Sequence, residues 1–341
     1  MQNVYFKKIT DYSDKQTIND FCFETLNKII QSEGIELAKT VPLKVHFGED
    51  ESNTYIIPDN FLGVRRFLET LDKQSCYMDS NVLYKSRRSK EDTHKQLAME
   101  HGFTDLEVII ADGDEDNPYT EVEINKKHFD KCRISTKYAD YDNFIVLAHF
   151  KGHGLAGMGA SIKQLAMGFA ARGGKLHQHS ESVPIISSGA CVACGACISC
   201  CPVNAISVND VAIIDESKCI GCAKCTLKCP VNAINNSWDS ANFLEKLAEY
   251  AYAAQLNKKN IYINFAMNIT EQCDCFDEKL PIIAPNIGIF ISTDAVANDK
   301  ATMDKYQELT GNHNFDKVYK TLDYAEEVGL GSNSYNLIEE D

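Results

Sequence analysis

Two cysteine runs with the same spacing lie in the middle of the sequence, and they constrain its fold more than any other feature. The first, CVACGACISCCPVNAI, begins at Cys191, and the second, CIGCAKCTLKCPVNAI, begins at Cys219. Each run has the form C-x2-C-x2-C-x3-C-P and ends in the same VNAI. This pattern is typical of bacterial ferredoxin-type domains with two [4Fe–4S] clusters, in which the fourth cysteine of each run binds the other cluster.

The spacing predicts four thiolate ligands for each cluster. The first cluster is expected on Cys191, Cys194, Cys197 and Cys229, and the second on Cys219, Cys222, Cys225 and Cys201. Zinc is the alternative, but two interleaved four-cysteine runs that end in proline are a stronger signature of clusters than of a zinc site. The second run aligns Cys200 with Lys228, so Cys200 is predicted to be a bystander thiol, and a redox-sensitive spare ligand is its alternative role.

The overall composition is that of a globular chain with a strong negative charge. The 341 residues are 44% hydrophobic, and the formal net charge is −15. Nine of the 14 cysteines fall between Cys191 and Cys229, which favours metal ligation in a reducing compartment over disulfides. We recognise no targeting segment or membrane span and expect a cytoplasmic protein. The negative charge argues against nucleic acid and membrane as partners, and the basic run at residues 85–90 is interpreted as a solvated loop or a helix start.

Alternating strand-like and helix-like segments flank the cysteine runs. Before them, strands are predicted at residues 4–9, 43–47, 55–57, 108–111 and 143–150, with helices at 17–32, 60–71, 90–101 and 161–172. After them, helices are predicted at 239–256 and 294–310 and strands at 261–267 and 287–292. This alternation predicts an α/β fold, with a mixed or mostly parallel sheet and flanking helices.

The change in composition predicts where the cysteine-rich segment interrupts that fold. We place a first part of the α/β domain at residues 1–183, an inserted ferredoxin-like two-[4Fe–4S] domain at 184–236 and the second part of the α/β domain at 237–341. Three consecutive domains are the alternative. Insertion is favoured because the C-terminal part is small to bury a sheet of its own.

A glycine-rich stretch, KGHGLAGMGASIKQLAMG, follows the predicted strand at 143–150. It satisfies GxGxxG, but no second strand with an acidic residue follows at the distance that a dinucleotide site requires. Two interpretations remain. One is a cofactor or anion site at the start of the next helix, with contributions from His153 and Lys163, and the other is tight packing of the loop.

Histidines are concentrated around this stretch and are candidate metal ligands or acid–base groups. The candidates are His149, His153, His177 and His179. An ordinary hydrogen-bonded or surface role is the alternative for each of them.

Cys273 and Cys275 form a CDC motif after the predicted strand at 261–267. Two nearby thiols are candidate metal ligands or redox groups, and the alternative is a pair of ordinary buried cysteines. The carboxyl ends of parallel strands meet at one edge of a sheet. We therefore predict that Cys273, Cys275 and His153 lie in one pocket.

Three stretches, together with the cysteine runs, resemble a known family. They are AHFKGHGLAGMGASIKQLAMGFAARGGKLHQHS, CDCFDEKLPIIAPNIGIF and the closing YAEEVGLGS. In this order they resemble the iron–sulfur-centre proteins of the domain-of-unknown-function family number 362. The resemblance implies an α/β domain with a ferredoxin insert, found mainly in anaerobic prokaryotes, and it implies no particular substrate.

These features lead us to expect an iron–sulfur electron-transfer protein, a component of an oxidoreductase. Two [4Fe–4S] clusters would relay electrons to a site in the α/β domain near the glycine-rich loop. The redox partner, a protein or a small-molecule acceptor, is not identified by the sequence, nor is any second metal or anionic ligand. The alternative is a partner- or metal-binding module in which the clusters are structural or sensory.

Overall fold

The computed structural model describes residues 1–113, 119–179, 183–219, 221, 224–235 and 242–340. The strands are β1 Gln2–Lys8, β2 Leu43–Lys44, β3 Tyr77–Asp79, β4 Val108–Ile110, β5 Tyr119–Glu123, β6 Lys131–Ser135, β7 Ile145–His149, β8 Lys151–His153, β9 Gly157–Gly159, β10 Ile185–Ile186, β11 Ile206–Val208, β12 Ala212–Ile214, β13 Ile234–Asn235, β14 Ile261–Ala266, β15 Gly288–Ser292 and β16 Tyr335–Glu340. The α-helices are α1 Lys15–Glu33, α2 Leu62–Thr70, α3 Glu91–Glu100, α4 Ser161–Phe169, α5 Arg172–His179, α6 Lys224–Lys228, α7 Phe243–Gln255, α8 Ala295–Thr310 and α9 Val318–Glu327. Short 3-10 helices span Pro58–Phe61, Arg87–Ser89 and Thr136–Asp140.

One large sheet organises the α/β fold, with strand order β16-β1-β15-β14-β7-β2-β3-β4. β14 and β7 are parallel neighbours, and Phe265 is paired with His149 near their carboxyl ends. Strands β2, β3 and β4 continue the parallel arrangement. Only β15 runs antiparallel to both of its neighbours among the described strands. The prediction of an α/β fold with a mostly parallel sheet is confirmed.

Helices cover both faces of this sheet, because its strands carry apolar residues on both sides. In β14, Ile261, Ile263 and Phe265 belong to a core shared with α1 and α2, and Tyr262 and Ala266 face a second core shared with α4, α7 and α8. Side chains of successive strand residues point to opposite faces. A strand that is apolar at nearly every position therefore fits the middle layer of a three-layer fold.

The cysteine-rich segment has small sheets of its own. Within the described residues, β10 pairs only with β13 and β11 only with β12, and both pairs are antiparallel. Its small core contains Cys197, Cys225 and Cys229 together with aliphatic residues. The limits of the predicted insert at 183/184 and 236/237 adjoin residues 180–182 and 236–241, which lie outside the described part of the chain. The three-part domain division stays a prediction.

Several element boundaries differ from those predicted. Residues 55–57 form no strand, because Pro58 begins a 3-10 helix and the Tyr55 ring stacks on His101 with 4.5 Å between the ring centroids. The helix predicted at 161–172 is divided into α4 and α5, because Ala170 has an extended conformation and forms an isolated bridge with Ile134. In the part of the chain that is described, no helix is both long and apolar enough to cross a membrane.

Candidate functional site

A cavity of about 500 Å³ opens at the carboxyl edge of the parallel strands. Residues at the ends of four neighbouring strands, or in the segments just after them, contribute to its wall. His46 follows β2, Asp79 ends β3, His149 ends β7 and Cys273 follows β14. Ligand sites of open α/β sheets lie at this edge, so the cavity is the candidate functional site.

The CDC motif forms a tight turn at one wall of the cavity. The Phe276 backbone N–H donates to the Cys273 carbonyl oxygen over 3.0 Å, which closes the turn around Asp274 and Cys275. Asp274 is fully buried and accepts hydrogen bonds from Thr54 Oγ1 at 3.0 Å and from His149 Nδ1 at 2.8 Å. Lys151 Nζ lies 3.0 Å from the same carboxylate. These contacts fix the turn, and both flanking cysteines line the cavity.

His153, Cys273 and Cys275 bring one donor atom each to within 4.8 Å of one another. All three line the same cavity. The prediction that they lie in one pocket is therefore confirmed, and their role as metal ligands stays a prediction. Lys163, on α4, places its Nζ 3.5 Å from Cys273 Sγ.

The pKa values of the two thiols in the turn are shifted in opposite directions. The hydrogen bond from Cys275 lowers the pKa of Cys273, and Lys163 and Lys151 add to this effect against burial, so the pKa lies well below its ordinary value. The same hydrogen bond, together with burial, raises the pKa of Cys275 well above its ordinary value. Burial lowers the pKa of Lys163, but Cys273 and Cys275 outweigh it and the net shift is upward. The geometry favours a thiolate at Cys273, paired with the Lys163 ammonium group.

The glycines after β7 allow the hairpin β8–β9 to pack directly on the segment that precedes the CDC turn. The Gly152 N–H donates to the Thr270 carbonyl at 2.8 Å, and a Cβ at Gly152 would lie 2.2 Å from the Glu271 carbonyl oxygen. This bears out the interpretation of the loop as tightly packed. The packing places Lys151 and His153 beside the CDC turn, and a cofactor- or anion-binding role for His153 and Lys163 stays a prediction.

A buried ion network adjoins the cavity, which Asp79 and Arg88 line. The sequence did not indicate this network. Asp79 accepts from Lys44 Nζ at 2.9 Å and from Arg88 Nη2 at 2.8 Å, and Arg88 Nη1 also lies 3.1 Å from Glu49 Oε1. Burial raises the pKa of Asp79, but Lys44 and Arg88 more than offset this, so it lies well below its ordinary value. The interpretation of residues 85–90 as solvated is wrong for Arg88, which is buried. The alternative of a helix start fits better, because the 3-10 helix Arg87–Ser89 directly precedes α3.

The four candidate histidines occupy different environments. His149, His153 and His179 line the cavity, and His177 packs on Phe129 outside its lining. Nδ1 and Nε2 of His149 face Asp274 and the Met267 carbonyl oxygen, both at 2.8 Å. His149 therefore supports the CDC turn, and both of its ring nitrogens are engaged by protein groups.

Two cysteines of the first predicted set, Cys197 and Cys229, lie in the small core of the cysteine-rich segment, and Cys191 packs against it. Burial raises the pKa of Cys197, and Cys191, Cys194 and Cys229 raise it further because all three lie within electrostatic reach. No disulfide joins any of the described cysteines. Cys222, assigned to the second cluster, lies outside the described residues.

The repeated VNAI sequence produces the same hydrogen bond twice. Ala205 N–H donates to Cys201 Sγ and Ala233 N–H donates to Cys229 Sγ, both at 3.2 Å. The asparagine before each alanine has a positive φ, 50° at Asn204 and 54° at Asn232, which asparagine tolerates better than most residues. Two further N–H···S bonds reach Cys191 and Cys219 at 3.4 Å. Backbone N–H groups directed at thiolate sulfur are one means by which proteins tune iron–sulfur clusters.

Two adjacent residues join the cysteine-rich segment to the cavity. Lys85 Nζ donates to the Cys229 carbonyl at 2.8 Å and also to Asn232 Oδ1. Its neighbour Tyr84 lines the cavity and donates through its hydroxyl to Glu49 at 2.7 Å. Burial raises the pKa of Tyr84, with Cys275 as the next largest cause. Tyr84 is thus within electrostatic reach of the CDC turn and next in sequence to the residue that is hydrogen-bonded to Cys229.

Two solved structures are distantly similar to the chain. A Thermotoga maritima protein solved by a structural genomics consortium has 8% identity over 90% of this chain and 59% of its own, with a TM-score of 0.44. The lactate racemase apoprotein from Thermoanaerobacterium thermosaccharolyticum has 12% identity over 77% of this chain and 50% of its own, with a TM-score of 0.40. The chain thus spans 50–59% of the length of these proteins.

Comparison at the level of sequence is more decisive. The chain has no match among curated proteins. The profile of one family, described as Domain of unknown function (DUF362), matches residues 41–304, which include the cysteine runs and the cavity-lining residues named above. The chain belongs to the DUF362 family.

Proposed function

We propose that this protein is an iron–sulfur electron-transfer protein, a component of an oxidoreductase that works in the reducing environment of the cytoplasm. The eight cysteines of the two runs would hold two [4Fe–4S] clusters, which supply one-electron transfer at low potential when bound. The remaining part of the chain would bind and orient an electron acceptor in the cavity. One observation carries the proposal: Cys229 is hydrogen-bonded to Lys85, whose neighbour Tyr84 lines the cavity.

The donor set supports the clusters. The interleaved assignment requires Cys229 of the second run to join Cys191, Cys194 and Cys197 of the first, and Cys197 lies within electrostatic reach of the other three. N–H···S bonds reach four of the predicted ligands. Cys200 differs from them, because its thiol is directed at the Cys197 carbonyl oxygen at 3.3 Å. This difference supports its exclusion from the ligand set.

The charges of the cavity support a small anionic molecule as the acceptor. Its wall includes Lys151, Lys163, Lys175 and Arg88, although the whole chain has a net charge of −15. Lys175 donates to two neutral acceptors, Ser80 Oγ at 2.7 Å and the Ala170 carbonyl at 2.6 Å. A concentration of cations in a walled cleft attracts anions and raises their local concentration.

The test is reoxidation of the reduced, cluster-loaded protein under anaerobic conditions. The probes are small reducible anions, namely 2-oxo carboxylates, enoates and carboxylate-bearing disulfides. Gly154→Phe is designed to block the cavity, because Gly154 lines it. The backbone can carry a side chain at this position, since a Cβ there meets no atom closer than Gln272 Oε1 at 3.8 Å. We expect at least one class of anion to reoxidise the wild-type protein faster than the variant.

Gly189→Phe is the matched control, because Gly189 is exposed and a Cβ there has no neighbour within 4 Å. It should behave like the wild-type protein. Equal reoxidation rates in all three proteins would contradict the assignment of the cavity as the acceptor site.

A further inference from the structure

The geometry points to a mononuclear site for a thiophilic divalent cation in the cavity, built by Cys273, Cys275 and His153 and separate from the cysteine runs. The three donor atoms lie within 4.8 Å of one another, on two different loops. Thiolate and imidazole ligands together suit borderline and soft cations such as Zn²⁺. This inference does not rest on the proposed electron transfer, because no predicted cluster ligand takes part in it.

The CDC turn is prepared for an ion by the residue between its cysteines. Asp274 is fully buried and is held in place by Thr54, His149 and Lys151. The two cysteines that flank it both line the cavity. A turn fixed in this way needs little reorganisation to bind a metal. Residues that contact metal ligands commonly hold those ligands in the orientation that the metal requires.

His153 is the weaker third donor. Its Nδ1 accepts hydrogen bonds from the backbone N–H groups of Leu155 and Ala156, at 3.3 and 3.1 Å. The lone pair of the neutral ring is therefore engaged, and the ring must give up these contacts to ligate an ion. We accordingly expect the two cysteines to dominate affinity, with a smaller contribution from His153.

The charges and the open side of the site also fit a divalent cation. Two thiolates balance the charge of a divalent ion, and Lys163 Nζ, 3.5 Å from Cys273 Sγ, can donate to a thiolate that also ligates the metal. The cavity of about 500 Å³ lies in front of the three donors. Three protein ligands with an open position facing a cavity are typical of catalytic rather than structural zinc sites.

The test measures zinc and iron in the same cluster-loaded protein. Anaerobically purified protein is incubated with Zn²⁺ alone, freed of excess by gel filtration and analysed for both metals by mass spectrometry. We expect about one zinc per chain in the wild-type protein. Cys275→Ser should lose most of this zinc, His153→Gln should retain part of it, and neither should change the iron content.

Cys200→Ser is the matched control, because it removes a thiol from the same chain without altering the CDC turn, and it should retain zinc. X-ray absorption at the zinc edge of the wild-type protein tests the site without any substitution. It should show two sulfur ligands at about 2.3 Å and one nitrogen at about 2.0–2.1 Å.

Three results would overturn the inference. They are zinc retention that is unchanged in Cys275→Ser, a four-sulfur spectrum that places the zinc on the cysteine runs, and a Cys273–Cys275 disulfide with no retained zinc in the anaerobic wild-type protein.

Discussion

The ammonium group of Lys85 lies 2.8 Å from the backbone carbonyl oxygen of Cys229. Lys85 lies between β3 and α3, and Cys229 is the last cysteine of the second run. Burial raises the pKa of Cys229, but backbone N–H groups and Lys85 outweigh it, and the pKa is lowered. Lys85 therefore joins the cysteine-rich segment to the chain segment whose Tyr84 lines the cavity, and it places a positive charge beside one predicted cluster.

Removal of that charge should make one of the two clusters harder to reduce. Lys85→Met should shift the potential of the cluster assigned to Cys229 to more negative values, on the order of tens of millivolts, because a nearby cation favours the added electron. Protein-film voltammetry measures both waves. Lys131→Met changes the net charge equally at an exposed hairpin position and should shift neither wave. A shift of the same size in both variants would show that Lys85 acts only through net charge.

The ligand assignment predicts how the iron content responds to single substitutions. The wild-type protein should bind about eight irons and eight sulfides per chain, and Cys197→Ser should lose about four of each. Cys200→Ser should leave the count unchanged, because the register excludes it and its thiol is directed at a backbone carbonyl. Iron and acid-labile sulfide analysis measures both. A loss of four irons in Cys200→Ser would show that the register is wrong.

Asp274 should contribute to stability as well as to the shape of the CDC turn. Asp274→Asn removes a buried carboxylate that faces His149 and Lys151. The Lys151 ammonium group then loses this negatively charged partner. Loss of one partner of a buried ion pair costs about 3–5 kcal/mol. The free energy of unfolding, measured with denaturant, should fall by about this amount. Asp316→Asn removes a carboxylate from the exposed pair with His313 and should change it by less than about 1 kcal/mol.

Lys175 should make stability depend on pH in the alkaline range. Burial lowers the pKa of Lys175 from 10.5 to about 8, so the folded protein binds this proton less tightly than the unfolded chain. Between about pH 8 and 10.5 the unfolded chain therefore carries more protons, and stability from this group rises with pH. The unfolding free energy of the wild-type protein minus that of Lys175→Met should rise across this window. Below the window this difference should not change with pH. A constant difference from pH 7 to pH 11 would contradict the lowered pKa.

Much of the fold could be predicted because its central elements carry strong local patterns. The apolar runs that contain β7 and β14 are typical of buried parallel strands, and α1 shows a helical period. Other elements have no such pattern. β3 spans only three residues, and its pairing with β2 and β4 is imposed by the sheet rather than by local sequence. β2 lies within the strand predicted at 43–47, but it spans only two residues. α5 begins at Arg172 and contains Gly173 and Gly174, residues that locally favour a turn over a helix.

The candidate site was only partly predictable for a similar reason. Cys273, Cys275 and His153 could be assigned to one pocket, because the segments that follow parallel strands meet at the same edge of a sheet. The buried charges around them could not be predicted. Arg88 lies in a basic run that looks solvated, and it is buried only because Asp79 and Glu49 meet it in three dimensions. Local sequence contains no signal for a partner supplied by another loop.

The central claim is that this chain carries two low-potential clusters that pass single electrons. The most direct test is an anaerobic redox titration of the purified protein, followed by electron paramagnetic resonance and combined with iron and zinc analysis. We predict two one-electron reductions per chain at potentials around −400 mV, with about eight irons and no zinc on the cysteine runs. A protein with zinc on those cysteines and no reducible centre, or with both potentials above zero, would contradict the claim.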